Sequence, residues 1–220
     1  MTARLSFEHQ LEMLNDNLTQ MGRCVEESID RIFVALKEQD TEAAKEIVEG
    51  DRTVNDMEKT IEAQCLSLIT RQQPVARDLR IVSAALKVVT DIERIGDHAA
   101  DIAEILMRFE HTDFYHAFKS IPPMIEAAKK MVHDSVDAFI ARDIDAAEAV
   151  ILADDVVDSC FDKVKQEVIE SLKTGQEDVD CFVDILMVAK YLERIGDHAV
   201  NIGEWTIFQQ SGAVDNVRIL

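Results

Sequence analysis

The sequence predicts an all-α protein of two tandem three-helix bundles, six long helices related by internal duplication. Three observations predict it. Seven consecutive residues, Glu93-Arg94-Ile95-Gly96-Asp97-His98-Ala99, return as Glu193-Arg194-Ile195-Gly196-Asp197-His198-Ala199, an offset of 193 − 93 = 100 residues. An identity of that length, with four polar letters in it, marks a repeated structural unit. Apolar residues recur at steps of three and four, and no stretch sustains the alternation of a strand. Three prolines, seven glycines and 5% aromatic residues in 220 leave a sheet little to be built from. The division falls at residues 1–112 and 113–220.

The elements follow in order. Leu11, Leu14, Leu18, Met21, Val25, Ile29, Ile32 and Leu36 form one stripe, which predicts a helix from about Leu5 to Lys37. Gln39-Asp40-Thr41 supplies the turn, with Asp40 or Thr41 placed to accept from the free amides of the next helix. That second helix carries Ala44, Ile47, Val54, Ile61, Cys65 and Leu68 inward and stops before Pro74, because proline disfavours a helical residue in front of it. The third helix opens near Asp78 and runs through Ile81, Ala85, Val88, Ile92, Ile95, Ala99 and Ile102 to about Phe109. Glu110 to His116 carry no clear period, and Pro122-Pro123 suit a helix start, which puts the boundary between the units near residues 110–120. The fourth helix uses Ile125, Met131, Val132, Val136 and Phe139 and turns at Arg142-Asp143. Asp143-Ile144-Asp145-Ala146-Ala147 then echoes Asp40-Thr41-Glu42-Ala43-Ala44 at an offset of 143 − 40 = 103. The fifth carries Val150, Val157, Phe161, Val164, Val168 and Leu172 and stops at Thr174-Gly175. The sixth spans about Asp178 to Phe208, with a tail from Gly212. Short loops make neighbouring helices antiparallel.

Charge narrows the function. Lys and Arg number 23 against 43 Asp and Glu, a net −20 that repels nucleic-acid phosphates and anionic lipid heads. No nucleic-acid partner and no membrane insertion are expected, since no apolar run reaches the roughly 18 to 20 residues of a span. The first residues lack the apolar core of a signal peptide, so the chain is expected to stay in the cytoplasm. Cys24, Cys65, Cys160 and Cys181 are dispersed and form no CxxC pair; buried, reduced thiols are expected.

The repeated heptapeptide carries the chemistry. With Glu93 at zero on a helical wheel, Asp97 falls near ~40° and Asp101 near ~80°, whereas Ile92, Ile95, Ala99 and Ile102 lie between roughly 180° and 260°. This reading puts the acids on the side away from the core, and gives Glu193, Asp197 and Asn201 the same outward stripe. Like charges at i and i+4 cost about 0.2–0.5 kcal/mol unless a cation lies between them. Hard and borderline metals accept carboxylate oxygens, and the second helix of each unit offers a partner pair, Asp51 with Asn55 and Asp154 with Asp158. A solvated acidic face is the plain alternative, with Arg94 pairing Asp97 at i+3. His98 and His198, at the edge of the stripe, read equally as structural histidines or ligands. Gly96 and Gly196 each cost about 0.8–1.0 kcal/mol mid-helix relative to alanine, which predicts close approach of another helix. A helical di-iron oxidoreductase is the competing function. It needs inward Glu-x-x-His pairs, and Ile95 stands where that glutamate belongs. No P-loop or basic phosphate cradle is present, so tight direct phosphate binding is not expected.

The two Glu-Arg-Ile-Gly-Asp-x-Ala-x-Asn/Asp-Ile copies, with Gln73-Pro74-Val75-Ala76-Arg77-Asp78-Leu79-Arg80 before the first and Glu49-Gly50-Asp51-Arg52-Thr53-Val54-Asn55-Asp56-Met57-Glu58 on the second helix, resemble the PhoU family over nearly the whole chain. The second copy lacks the QPxAxDLR run, and Asp101 becomes Asn201. The resemblance implies a non-enzymatic, homodimeric negative regulator of the phosphate-starvation response and of phosphate uptake. It implies partners in the PstB-type ATPase of the Pst transporter and a PhoR-type sensor kinase. It also implies multinuclear divalent or trivalent metal (iron, zinc, manganese or magnesium) on Glu93, Asp97, Glu193 and Asp197 first.

Overall fold

A computed structural model describes residues 3–108, 118–173, 179–214 and 217–218. Its helices are α1 (Ala3–Glu38), α2 (Thr41–Gln72), α3 (Arg77–Leu106), α4 (Ile121–Ala141), α5 (Ile144–Lys173) and α6 (Val179–Ser211). Helix α3 ends at Leu106, short of the expected run to about Phe109; Phe109 itself, most of the 110–120 junction, the stop at Thr174-Gly175 and the start at Asp178 lie outside the described residues.

The helix ends follow local chemistry. Asp40 Oδ1 accepts from the Glu42 and Ala43 amides at 3.0 and 3.1 Å, and Asp143 Oδ1 accepts from the Ala146 amide at 3.1 Å. The same cap therefore starts the second helix of both repeats. Gln73 takes a left-handed conformation (φ 47°) and closes α2 just before Pro74, and Arg142 (φ 58°) closes α4 in the same way. The prolines of α4 sit in its first turn, where missing amide donors cost nothing.

The inner stripes meet in one continuous apolar core, to which both bundles contribute. Helix α3 packs on α1, α2 and α6, and α6 packs on α3, α4 and α5, so the two motif helices run side by side at the centre. Helices α2 and α5 lie on the outside of their bundles. Leu18, Met21, Ile29, Ile92, Ile95 and Leu192 are fully buried, each worth roughly 1.5–3 kcal/mol relative to exposure.

Two expected inner residues of α5 are placed otherwise. Leu172 is exposed and Phe161 half-buried, while Cys160 takes the inner position, because the step from Val157 to Cys160 to Val164 keeps the stripe under α4 and α6. After Gly212 (φ 76°) the tail forms a two-residue antiparallel ladder, Ala213 opposite Arg218 and Val214 opposite Val217, a feature too short to show as alternation. The four cysteines are free; Cys24 is half-buried and the other three buried. Burial, helped by the Glu62 charge, pushes the Cys65 thiol up to about 12. Among the described residues, no helix is long and apolar enough to cross a membrane.

Candidate functional site

The glutamates of the acid stripe do not face open water. Glu93 and Glu193 keep only 14% and 16% of their side-chain surface exposed. A helix with three neighbours buries a wider arc than its isoleucine stripe: Val89, Gly96 and Ala103 are buried beside Ile92 and Ile95. The carboxylates therefore stand on the shoulder of α3, at the mouth of the groove it makes with α2. For the two glutamates the outward placement drawn from the helical wheel is corrected, whereas Asp97, Asp101 and Asp197 remain partly exposed.

The motif glycines set the depth of that groove. A Cβ on Gly96 would lie 3.1 Å from Val54 Cγ1 and 3.7 Å from Asp51 Oδ1; one on Gly196 would lie 3.1 Å from Asp154 Oδ1. The close approach expected at both glycines is thus present, and it delivers a carboxylate of the outer helix to the motif helix in each repeat.

In the first repeat the groove gathers Asp51, Asn55 and Glu58 from α2 with Glu93 and Asp97 from α3. Asn55 Nδ2 donates to Asp51 Oδ2 at 2.8 Å. Arg94 Nη1 donates to Asp97 Oδ2 at 2.8 Å, the i+3 pairing expected from the spacing. Its Nε lies 3.4 Å from Glu93 Oε2, within ion-pair range but not aligned as a hydrogen bond. Asp51 Oδ1, Asn55 Oδ1 and Glu93 Oε2 are buried and accept no hydrogen bond. Burial above all, then the charges of Asp97 and Asp101, raises the Asp51 carboxyl, against the Asn55 hydrogen bond that lowers it. Burial, then Asp97 and Glu58, raises Glu93.

In the second repeat Asp154 and Asp158 of α5 face Glu193 and Asp197 of α6. Asp154 Oδ1 is buried without a partner. Its pKa is pushed up to about 6 by burial first and then by Asp158, Asp197 and Glu193. Arg194 Nη1 donates to Asp197 Oδ2 at 3.4 Å, and Lys190 Nζ pairs with Glu193 Oε2.

Asp101 and Asn201 are drawn toward a second polar cluster, between α3 and α6. Asp91 Oδ1 accepts from Asn201 Nδ2 at 3.1 Å and lies 2.9 Å from His198 Nδ1. Asp101 Oδ2 lies 3.4 Å from His98 Nδ1. The two imidazoles stand 5.6 Å apart, and His98 is 5.5 Å from the Tyr191 ring. Burial lowers the His98 pKa, partly offset by its hydrogen bond to Asp101. Neither Asp91 nor Tyr191 was singled out by the sequence, because they occupy one repeat position with different letters. Glu58 was missed for the same reason: it lies at i+7 from Asp51, but the second repeat has Phe161 there.

Among the described residues, no three His, Cys, Asp or Glu side chains converge into a ready-made metal site. The chemistry of the groove nevertheless fits a hard cation. Its free atoms are oxygen acceptors, several are buried with nothing to accept from, and its carboxylates raise one another's pKa.

The sequence matches the family described as "PhoU domain" over residues 18–106 and 121–206. It is 39% identical to a phosphate-specific transport system accessory protein PhoU homolog of Clostridium acetobutylicum, over 95% of this chain and 96% of that one. It is 30% identical to the phosphate-specific transport system accessory protein PhoU of Escherichia coli, over 94% of this chain and 86% of that one. The crystal structure of PhoU from Pseudomonas aeruginosa superposes with a TM-score of 0.86 at 30% identity, covering 94% of this chain and all of that one. The phosphate transport system regulatory protein PhoU from Streptococcus pneumoniae gives 0.88 at 26% identity, covering 96% and 100%.

Proposed function

The chain belongs to the PhoU family, and on that footing we propose that it is a regulatory accessory protein of a phosphate-specific transport system. It restrains phosphate uptake and the phosphate-starvation response by docking on a PstB-type transporter ATPase and a PhoR-type sensor kinase. It does so as a homodimeric cytoplasmic adaptor that binds cations rather than as an enzyme. The buried oxygens that lack donors, Asp51 Oδ1 and Glu93 Oε2 in one groove and Asp154 Oδ1 in the other, carry the cation part of the reading.

Glu93, Asp97 and Asp51 would hold metal in the first groove, with Asn55 adding an amide oxygen; Glu193, Asp197, Asp154 and Asp158 would do so in the second. A bound cation supplies positive charge where like charges now repel. The chain's own part is to fix the outer helix against the motif helix at Gly96 and Gly196, so that carboxylates from two helices share one groove. Arg94 and Arg194 hold Asp97 and Asp197 at the groove edge.

Elemental analysis tests the cation reading. The purified chain retains iron, zinc or manganese after dialysis, and the combined variant E93Q/D97N/E193Q/D197N loses it; equal metal in both forms overturns the assignment. Pull-down of PstB-type and PhoR-type proteins, with and without phosphate, tests the adaptor role. Capture of neither partner overturns it.

A further inference from the structure

Duplication made the two grooves alike; Asn55 against Asp158 and Asp101 against Asn201 make them unlike, and so do two further positions. Position 90 of the first repeat is Thr90 and its counterpart is Lys190; position 58 is Glu58 and its counterpart is Phe161. In the second groove the Lys190 ammonium pairs with Glu193 Oε2 and sits 5.5 Å from the centre of the Phe161 ring. An aromatic face attracts a cation, so the ring where the first repeat has a carboxylate helps to seat the lysine. In the first groove Thr90 turns its hydroxyl to its own helix, donating to the Leu86 carbonyl at 3.3 Å. Glu93 Oε2, the counterpart of the atom Lys190 holds, is buried and accepts no hydrogen bond; its ion-pair contact is with Arg94 Nε at 3.4 Å.

All four exchanges enter the charge balance of the grooves. The first groove and its rim present Asp51, Glu58, Glu93, Asp97 and Asp101 against Arg94, with Lys59 acting on Glu58 from outside the groove. The second presents Asp154, Asp158, Glu193 and Asp197 against Arg194 and Lys190. Three buried oxygens lack a donor in the first groove and one in the second. Of that difference Lys190 accounts for the oxygen on Glu193, while Asn55 Oδ1 has Asp158 as its counterpart.

We propose that Lys190 is a tethered counter-ion that occupies the second groove in place of a metal ion, so that the first groove binds cations more tightly and fills first. The inference rests on the reading of the grooves as cation sites. It makes the repeats unequal by construction: a divalent ion enters the first groove against one arginine, whereas in the second it must displace an ammonium from Glu193 or bind beside it. Removing a unit charge a few ångströms from a divalent ion changes its affinity by at least about tenfold.

Mn²⁺ titration by calorimetry, with free Mn²⁺ read by electron paramagnetic resonance, tests this on the full chain. E193Q/D197N leaves the first groove to be measured alone, and E93Q/D97N leaves the second. The first groove binds at least about tenfold more tightly. Lys190→Gln tightens the second by a similar factor, and Lys190→Arg, which keeps the charge, does not. The reciprocal Thr90→Lys weakens the first groove, giving a second, independent reading, with helix content by circular dichroism confirming the fold of each variant. Mn²⁺ binding that is equal in the two grooves, or unchanged by both Lys190→Gln and Thr90→Lys, overturns this inference while leaving the cation reading intact. No Mn²⁺ binding to any form overturns both.

Discussion

Three alanine substitutions at helical glycines separate the intrinsic cost of glycine from the space it provides. Gly50, Gly96 and Gly196 all lie inside helices, where alanine is favoured over glycine by about 0.8–1.0 kcal/mol. At Gly50 an added Cβ meets nothing within 4 Å, so G50A gains that full amount. At Gly96 the Cβ meets Val54 Cγ1 at 3.1 Å and Val54 Cβ at 3.6 Å. Val54 is β-branched and held to one rotamer in a helix, so relief requires α2 itself to move. Overpacking of this kind costs about 1–3 kcal/mol, and the net expectation for G96A is a loss of about 1 kcal/mol. At Gly196 the close atom is Asp154 Oδ1, the end of a side chain that can turn aside, so G196A is near neutral in stability. Urea unfolding at fixed pH in a chelator reads all three. In a chain of this size about 1 kcal/mol corresponds to roughly 2–4 °C in Tm, with G50A rising and G96A falling. A gain for G96A equal to that of G50A refutes the claim that Gly96 sets the α2–α3 distance.

Other outcomes follow from the same contacts. The Asp154 carboxyl is raised to about 6 from its ordinary 3.8, so between those values the folded chain binds more protons than the unfolded one, and this group's contribution to stability falls as pH rises through about 4 to 6. In metal-free protein D154N is therefore more stabilising at pH 7 than at pH 4; unfolding curves showing the same effect at both would contradict it. D40A and D143A each remove a side-chain cap and lose about 1 kcal/mol in denaturant unfolding. Calorimetric titration of inorganic phosphate into metal-free protein shows no tight binding, whereas saturation at micromolar phosphate would point to a cradle absent from the sequence.

The six helices were legible because their signals are local. Asp40, Pro74 and the prolines at 122 and 123 fix boundaries through their own backbone chemistry, and the three-and-four spacing marks the buried stripe without knowledge of its partner. The grooves were half legible. The wheel showed that Glu93 and Asp97 share a face, but not that α3 has three neighbours and buries the edge of that face. Packing between repeats left no readable trace. Asp91 and Tyr191 act through contacts across α3 and α6, and a search for matching letters passes over positions whose letters differ; Asp101 and Asn201 were read as outward stripe residues, not as partners of His98 and Asp91. Lys190 escaped notice for the same reason, and Phe161 was read as an inner residue of its helix rather than as the seat of a lysine.

The central claim is most directly tested in a bacterium lacking its own PhoU, with a reporter of the phosphate-starvation response. The wild-type chain is predicted to restore repression in phosphate-rich medium, and E93Q/D97N/E193Q/D197N, expressed and folded to the same level, to leave the reporter on. Failure of the wild-type chain to repress, or full repression by the fourfold variant, would contradict a regulator that works through its carboxylate grooves.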